Sequence, residues 1–196
     1  MIFDPSLASQ SALVYAKSIC AVIGDSIMAS ETWPLGNKGM VNLAIDGAKL
    51  ADMLSIQLPE LARVEKLGCV VFMGGTNDAA AIFNGLQSGS KFQTDLASCI
   101  YAMLKFVAPE QIIACTPPPP VDPRAAQLWL DVAAEYPYLC NPLGIEVFTT
   151  SAYLGSGNPP VGNSAYFVDG IHLNGSGWSL IMPILDQSVS ARGDPS

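Results

Sequence analysis

Ser26 in Gly24-Asp25-Ser26, together with Asp169 and His172 in Val168-Asp169-Gly170-Ile171-His172, has the makings of nucleophilic catalysis. A serine hydroxyl becomes a nucleophile when a neighbouring base takes its proton. Histidine is the side chain whose ordinary titration range suits that task near neutral pH. The chain holds 1 histidine, so the search for such a base has one answer. Asp169 precedes His172 by three residues, a spacing that in a helical turn places both on one face. A carboxylate there accepts from one imidazole nitrogen, fixes the tautomer and leaves the other nitrogen for a serine.

Two further residues offer N–H donors at strand ends, and of these Asn77 suits the stabilisation of a developing oxyanion. Asn77, in Gly75-Thr76-Asn77-Asp78, carries a neutral amide donor. Gly47, in Asp46-Gly47-Ala48, has no side chain, so its backbone N–H can approach a ligand closely. Each signal has a plainer alternative. Asn-Asp after a strand is a common turn, Gly47 alone reads as a turn glycine, and Asp25 or Ser26 can cap a helix. Trp33, Tyr153, Tyr166 and Phe167 either line a pocket or anchor loops. Asp78 is read as structural.

The elements that must position these residues follow from periodicity. Strands are expected at 18–23, 39–44, 69–73 and 111–115. The runs Cys69-Val70-Val71-Phe72-Met73 and Ile112-Ile113-Ala114-Cys115 lack polar alternation, which fits strands buried on both faces of a parallel sheet. Helices are expected at 48–58 with a break at Pro59, at 94–107, at 123–135 with Asp122 as its cap, and at 176–189. The last carries Trp178, Ile181, Ile184, Leu185 and Val189 at helical spacing. Loops are expected at 79–91, 116–120 and 151–167. Alternating β and α elements predict a three-layer α/β/α sandwich in one domain spanning 1–196. In such sheets ligands bind beyond the carboxyl ends of the strands, where Ser26, Gly47 and Asn77 all fall.

Composition narrows the function. Hydrophobic residues make up 50% of the 196 and charged residues 13%, as in a globular chain. A net charge of −8 with only 9 Lys and Arg argues against nucleic acid and anionic membranes as partners. No apolar run reaches transmembrane length. No secretory signal is apparent, so a cytoplasmic protein is expected, with export of a trimmed chain left open. Five cysteines without close pairs do not suggest a disulfide framework, and with one histidine no metal site is expected. Cys20, Cys69 and Cys115 read as buried packing residues. Neither a Gly-x-Gly-x-x-Gly nor a Walker A loop occurs, so no cofactor is expected. The Gly-x-Ser-x-Gly nucleophile elbow is absent too. Asn174-Gly175-Ser176 reads as a turn and helix cap.

Gly24-Asp25-Ser26-Ile27, Gly47, Gly75-Thr76-Asn77-Asp78 and Asp169-Gly170-Ile171-His172, in this order, resemble the SGNH hydrolases, also called GDSL esterases or lipases. Ile27 stands where that family's name has leucine. The resemblance implies a flavodoxin-like sandwich and a serine esterase without metal. It implies Ser26 as nucleophile, His172 as base and Asp169 as its orienter. The oxyanion hole would comprise the Ser26 and Gly47 backbone N–H groups and the Asn77 side chain. The expected substrate is a small-molecule ester of short acyl groups, O-acetyl carbohydrate included. Thioesterase, lysophospholipase and acyltransferase activities use the same machinery, and a non-catalytic binding module on this fold is the alternative of another class. Oligomeric state is left open.

Overall fold

The computed structural model describes residues 18–30 and 39–192. Five strands, β1 (Ile19–Gly24), β2 (Gly39–Asn42), β3 (Leu67–Met73), β4 (Ile112–Cys115) and β5 (Glu146–Phe148), form one sheet in the order β2-β1-β3-β4-β5. Every pairing is parallel, so all five carboxyl ends lie along one edge. This is the flavodoxin-like strand order. β5 was not among the expected strands; with three residues it is too short to display a period.

Side chains alternate between the faces of the sheet, and each face is covered. Ala21, Ile23, Val70, Phe72, Ile112 and Ala114 belong to one core. Cys20, Val22, Cys69, Val71, Ile113 and Cys115 belong to the other. Helix α1 (Ser26–Ala29) follows β1 directly. A helical stretch after β2 comprises α2 (Leu50–Asp52), a π-helical turn (Met53–Gln57) and α3 (Leu58–Glu60). α4 (Thr76–Phe83) and α5 (Gly89–Met103) follow β3, and α6 (Ala126–Cys140) follows β4. α7 (Ser151–Leu154) precedes a small antiparallel pair, β6 (Gly155–Ser156) and β7 (Val161–Gly162). α8 (Gly175–Ser190) closes the second face with Trp178, Ile181, Leu185 and Val189, while Ile184 packs there partly buried. The outcome is the expected three-layer sandwich.

Several expected boundaries move. Pro59 does not end its helix. It sits in the first turn of α3, where the missing N–H coincides with the register change out of the π turn. Most of the loop expected at 79–91 is helical, because Ala79, Ala80 and Ala81 extend α4 and Ser88 caps α5 by accepting from the Lys91 N–H. α5 accordingly starts before Thr94 and ends before Val107. Asp122 closes a turn onto the Arg124 N–H rather than capping α6, which starts at Ala126 and runs through Pro137. The 151–167 loop contains α7, the β6–β7 pair and a 3₁₀ turn at Ser164–Tyr166. Asn174 is the α8 cap, accepting from the Ser176 and Gly177 N–H groups.

Candidate active site

β1 delivers Ser26 to the carboxyl edge of the sheet. Gly24 is required by crowding: a Cβ there would lie 2.5 Å from Met28 Cγ and 2.7 Å from the Met73 carbonyl oxygen. Asp25 then caps α1, its Oδ1 accepting from the Ile27 N–H at 3.1 Å. The carboxyl is fully buried, and burial pushes its pKa up to about 6, against the lowering effect of the Ile27 N–H.

Asp169 and His172 meet without a helical turn. Gly170 adopts φ +90°, a left-handed conformation that interrupts any helix. Instead Asp169 Oδ1 accepts from the backbone N–H groups of Ile171 (3.0 Å) and His172 (2.8 Å). Asp169 Oδ2 lies 2.6 Å from His172 Nδ1, and His172 Nε2 lies 2.8 Å from Ser26 Oγ. The His172 backbone N–H, then its imidazole, hold the Asp169 carboxyl down to about 2. An ionised carboxylate only accepts, so the Nδ1 atom carries the proton and Nε2 is left to accept from the serine hydroxyl. The loop is closed on itself: Val168 N–H donates to the His172 carbonyl at 2.8 Å, and Phe167 bridges to Leu173.

Gly47 lies exposed in a turn closed by the Ala48 N–H on the Ile45 carbonyl. Asn77 is half-buried at the start of α4, and its Nδ2 donates to the Ala48 carbonyl at 3.0 Å. A carboxamide has two such hydrogens, and this bond uses one. The buried Asp78 accepts from the Leu50 N–H (3.0 Å) and the Gln87 amide (2.8 Å). Asn77 and Asp78 together therefore hold residues 48–50, directly after Gly47.

Two residues escaped the sequence reading. Buried Gln57 donates to the Gly24 carbonyl at 2.9 Å and accepts from the Gly24 N–H at 3.0 Å, bracing the strand end one residue before Asp25. Tyr136 donates to the Gly74 carbonyl at 2.7 Å, bracing the other strand end before Asn77. Their signal was a polar atom on an apolar face: Leu50, Met53 and Gln57 share helical spacing, as do Trp129, Val132 and Tyr136.

The aromatic residues divide. Tyr153 stacks on Phe148 with centroids 5.3 Å apart, Phe167 is buried in the second core and Tyr166 packs against it, so these three anchor loops. Trp33 lies outside the described residues. All five cysteines are buried thiols, and burial pushes Cys99 to about 12 and Cys140 to about 11. Among the described residues no cluster of His, Cys, Asp and Glu is arranged to hold a metal ion. No described helix is long and apolar enough to cross a membrane.

No protein-family model and no curated protein matches the sequence. Solved structures do match. A GDSL-like lipase from Bacteroides thetaiotaomicron aligns over 90% of this chain and 90% of its own, with TM-score 0.71 and 18% identity. A lipase/acylhydrolase from Enterococcus faecalis aligns over 91% and 99%, with TM-score 0.71 and 18% identity. An acetyl xylan esterase from Geobacillus stearothermophilus aligns over 91% and 97%, with TM-score 0.69 and 15% identity. The five-stranded parallel sheet and its flanking helices thus have the fold of the GDSL-type hydrolases, over nearly the whole chain.

Proposed function

We propose that this protein is a serine ester hydrolase of the SGNH type, acting through an acyl-enzyme. The observation that carries the reading is the continuous relay from Ser26 Oγ to His172 Nε2 (2.8 Å) and from His172 Nδ1 to Asp169 Oδ2 (2.6 Å). Ser26 Oγ attacks the acyl carbonyl carbon while its proton passes to His172 Nε2. The carbonyl oxygen becomes an oxyanion, received by the Ser26 and Gly47 backbone N–H groups and the Asn77 amide. Collapse breaks the bond to the alcohol, which leaves with the proton from His172. Water, deprotonated by the same imidazole, then releases the acid. Asp169 orients the ring and stabilises its charged form.

The substrate we propose is an ester of a short acyl group, with O-acetyl carbohydrate in that class. The likeness to an acetyl xylan esterase supports this reading. Incubation with a fluorophosphonate probe tests the chemistry: Ser26 is expected to be labelled, p-nitrophenyl acetate to be hydrolysed, and Ser26→Ala to lose both. Folded protein that neither reacts with the probe nor turns over any ester would overturn the reading.

A further inference from the structure

Residues 48–50, which follow the Gly47 turn, are fastened by side chains. The Ala48 carbonyl accepts from Asn77 Nδ2 at 3.0 Å, the Leu50 N–H donates to Asp78 Oδ2 at 3.0 Å, and the Leu50 carbonyl accepts from the buried Cys99 thiol at 3.4 Å. On its other side the turn hangs from β1, where the Ile45 N–H donates to the Gly24 carbonyl at 3.1 Å. Gly47 lies between these fastenings, exposed and with φ +71°. Asp78 is the fastening that can carry charge, and it is fully buried. A buried carboxylate stays an acceptor only while donors satisfy it. Its Oδ1 accepts from the Gln87 amide at 2.8 Å. Burial pushes the Asp78 pKa up, and that amide is foremost among the groups that hold it down.

Gln87 reaches Asp78 because the chain reverses at the end of α4. The Leu86 N–H donates to the Ala81 carbonyl at 2.8 Å and the Gly85 N–H to the Ile82 carbonyl at 2.9 Å, with Gly85 left-handed at φ +71°. These paired bonds form a Schellman motif, which ends a helix and turns the chain back along it. Gln87 is thereby carried to the first turn of α4, where Asp78 lies 9 positions earlier. Asn84, Gly85 and Leu86 stay exposed in the turn, while Gln87 is half-buried. The turn thus draws one amide inward, onto the carboxylate that holds Leu50.

On the serine-hydrolase reading, on which this inference rests, Gly47 and Asn77 supply oxyanion donors. We infer that Gln87 is a positioning residue for that hole: it keeps Asp78 on the Leu50 N–H, and so keeps the Gly47 N–H and the Asn77 amide aimed at one point. Gln87→Met preserves the length of the side chain and removes the donor. It is expected to lower kcat on p-nitrophenyl acetate about tenfold, less than deleting a donor would, with KM within about twofold and folding intact by circular dichroism. In an Asn77→Ala background the same change should cost about threefold or less, because part of the hole it aligns is already gone. Gly85→Ala strains the left-handed turn without touching the carboxylate. It should act in the same direction and add little to Gln87→Met. Gln93→Ala removes another amide–carboxylate bond, to Glu135 at 2.8 Å on the exposed face of α5, and should leave kcat unchanged. An unchanged kcat in Gln87→Met, a loss confined to KM, or losses that multiply fully with Asn77→Ala would overturn the inference. If Gln87→Met does not fold, Gly85→Ala in the same two backgrounds decides by the same criteria. Fluorophosphonate labelling of the parent separates the failures: a labelled, active parent with any of those results refutes the positioning role alone, and an unlabelled, inactive parent refutes both readings.

Discussion

Ser26 and His172 are separated by 146 positions in sequence and 2.8 Å in space. Their pairing was legible because one histidine was available to meet one strand-end serine. The route by which Asp169 reaches the ring was not legible. Spacing suggested a helical turn, whereas a left-handed Gly170 and two backbone N–H donors to one carboxylate oxygen do the work. Asp169→Asn keeps an acceptor for those N–H groups but permits the wrong imidazole tautomer. It is expected to lower kcat by roughly 10²–10⁴, with folding intact by circular dichroism. Asn77→Ala should lower kcat by roughly 10²–10³ on an activated ester while the protein stays folded. Asp25 carries a different pH signature. Its folded pKa, about 6, lies above the ordinary 3.8. Its contribution to stability is therefore fully present below pH 3.8 and is lost as pH rises through about 6. Asp25→Asn removes that dependence. Its Tm should gain on the parent's by a few degrees between pH 4.5 and 7.5, and parallel Tm-against-pH curves would contradict this.

At the scale of elements, the strands read well where they are buried on both faces, because nothing polar interrupts them. Helix boundaries read poorly where a side chain serves the backbone of another element. The π turn at Met53–Gln57 aims Gln57 at Gly24, and no intrinsic propensity announces such a turn. Tyr136 plays the matching part at Gly74. Tyr136→Phe leaves the buried Gly74 carbonyl without its side-chain donor and should cost about 1–3 kcal/mol, measured by urea unfolding. Gln57→Leu orphans two buried contacts at once and should cost at least as much. Because each brace stands next to a reactive loop, kcat is expected to fall several-fold in both variants at temperatures where they remain folded.

For the whole molecule, β–α alternation was enough to anticipate the layers, while the flavodoxin-like strand order was anticipated only through the resemblance to the SGNH hydrolases. With both faces covered, every thiol lies inside. Ellman's reagent is expected to find no reactive cysteine in native protein and five after denaturation; rapid native reaction would mean that a face opens. The relay also gives the molecule a built-in reporter. A chain with 1 imidazole yields one set of histidine ring resonances in a proton spectrum. The hydrogen held between His172 Nδ1 and Asp169 at 2.6 Å should appear as one isolated low-field line. Acylation or phosphonylation of a serine far away in the chain would displace that line, so turnover can be followed at the proton itself, without labels or assignment.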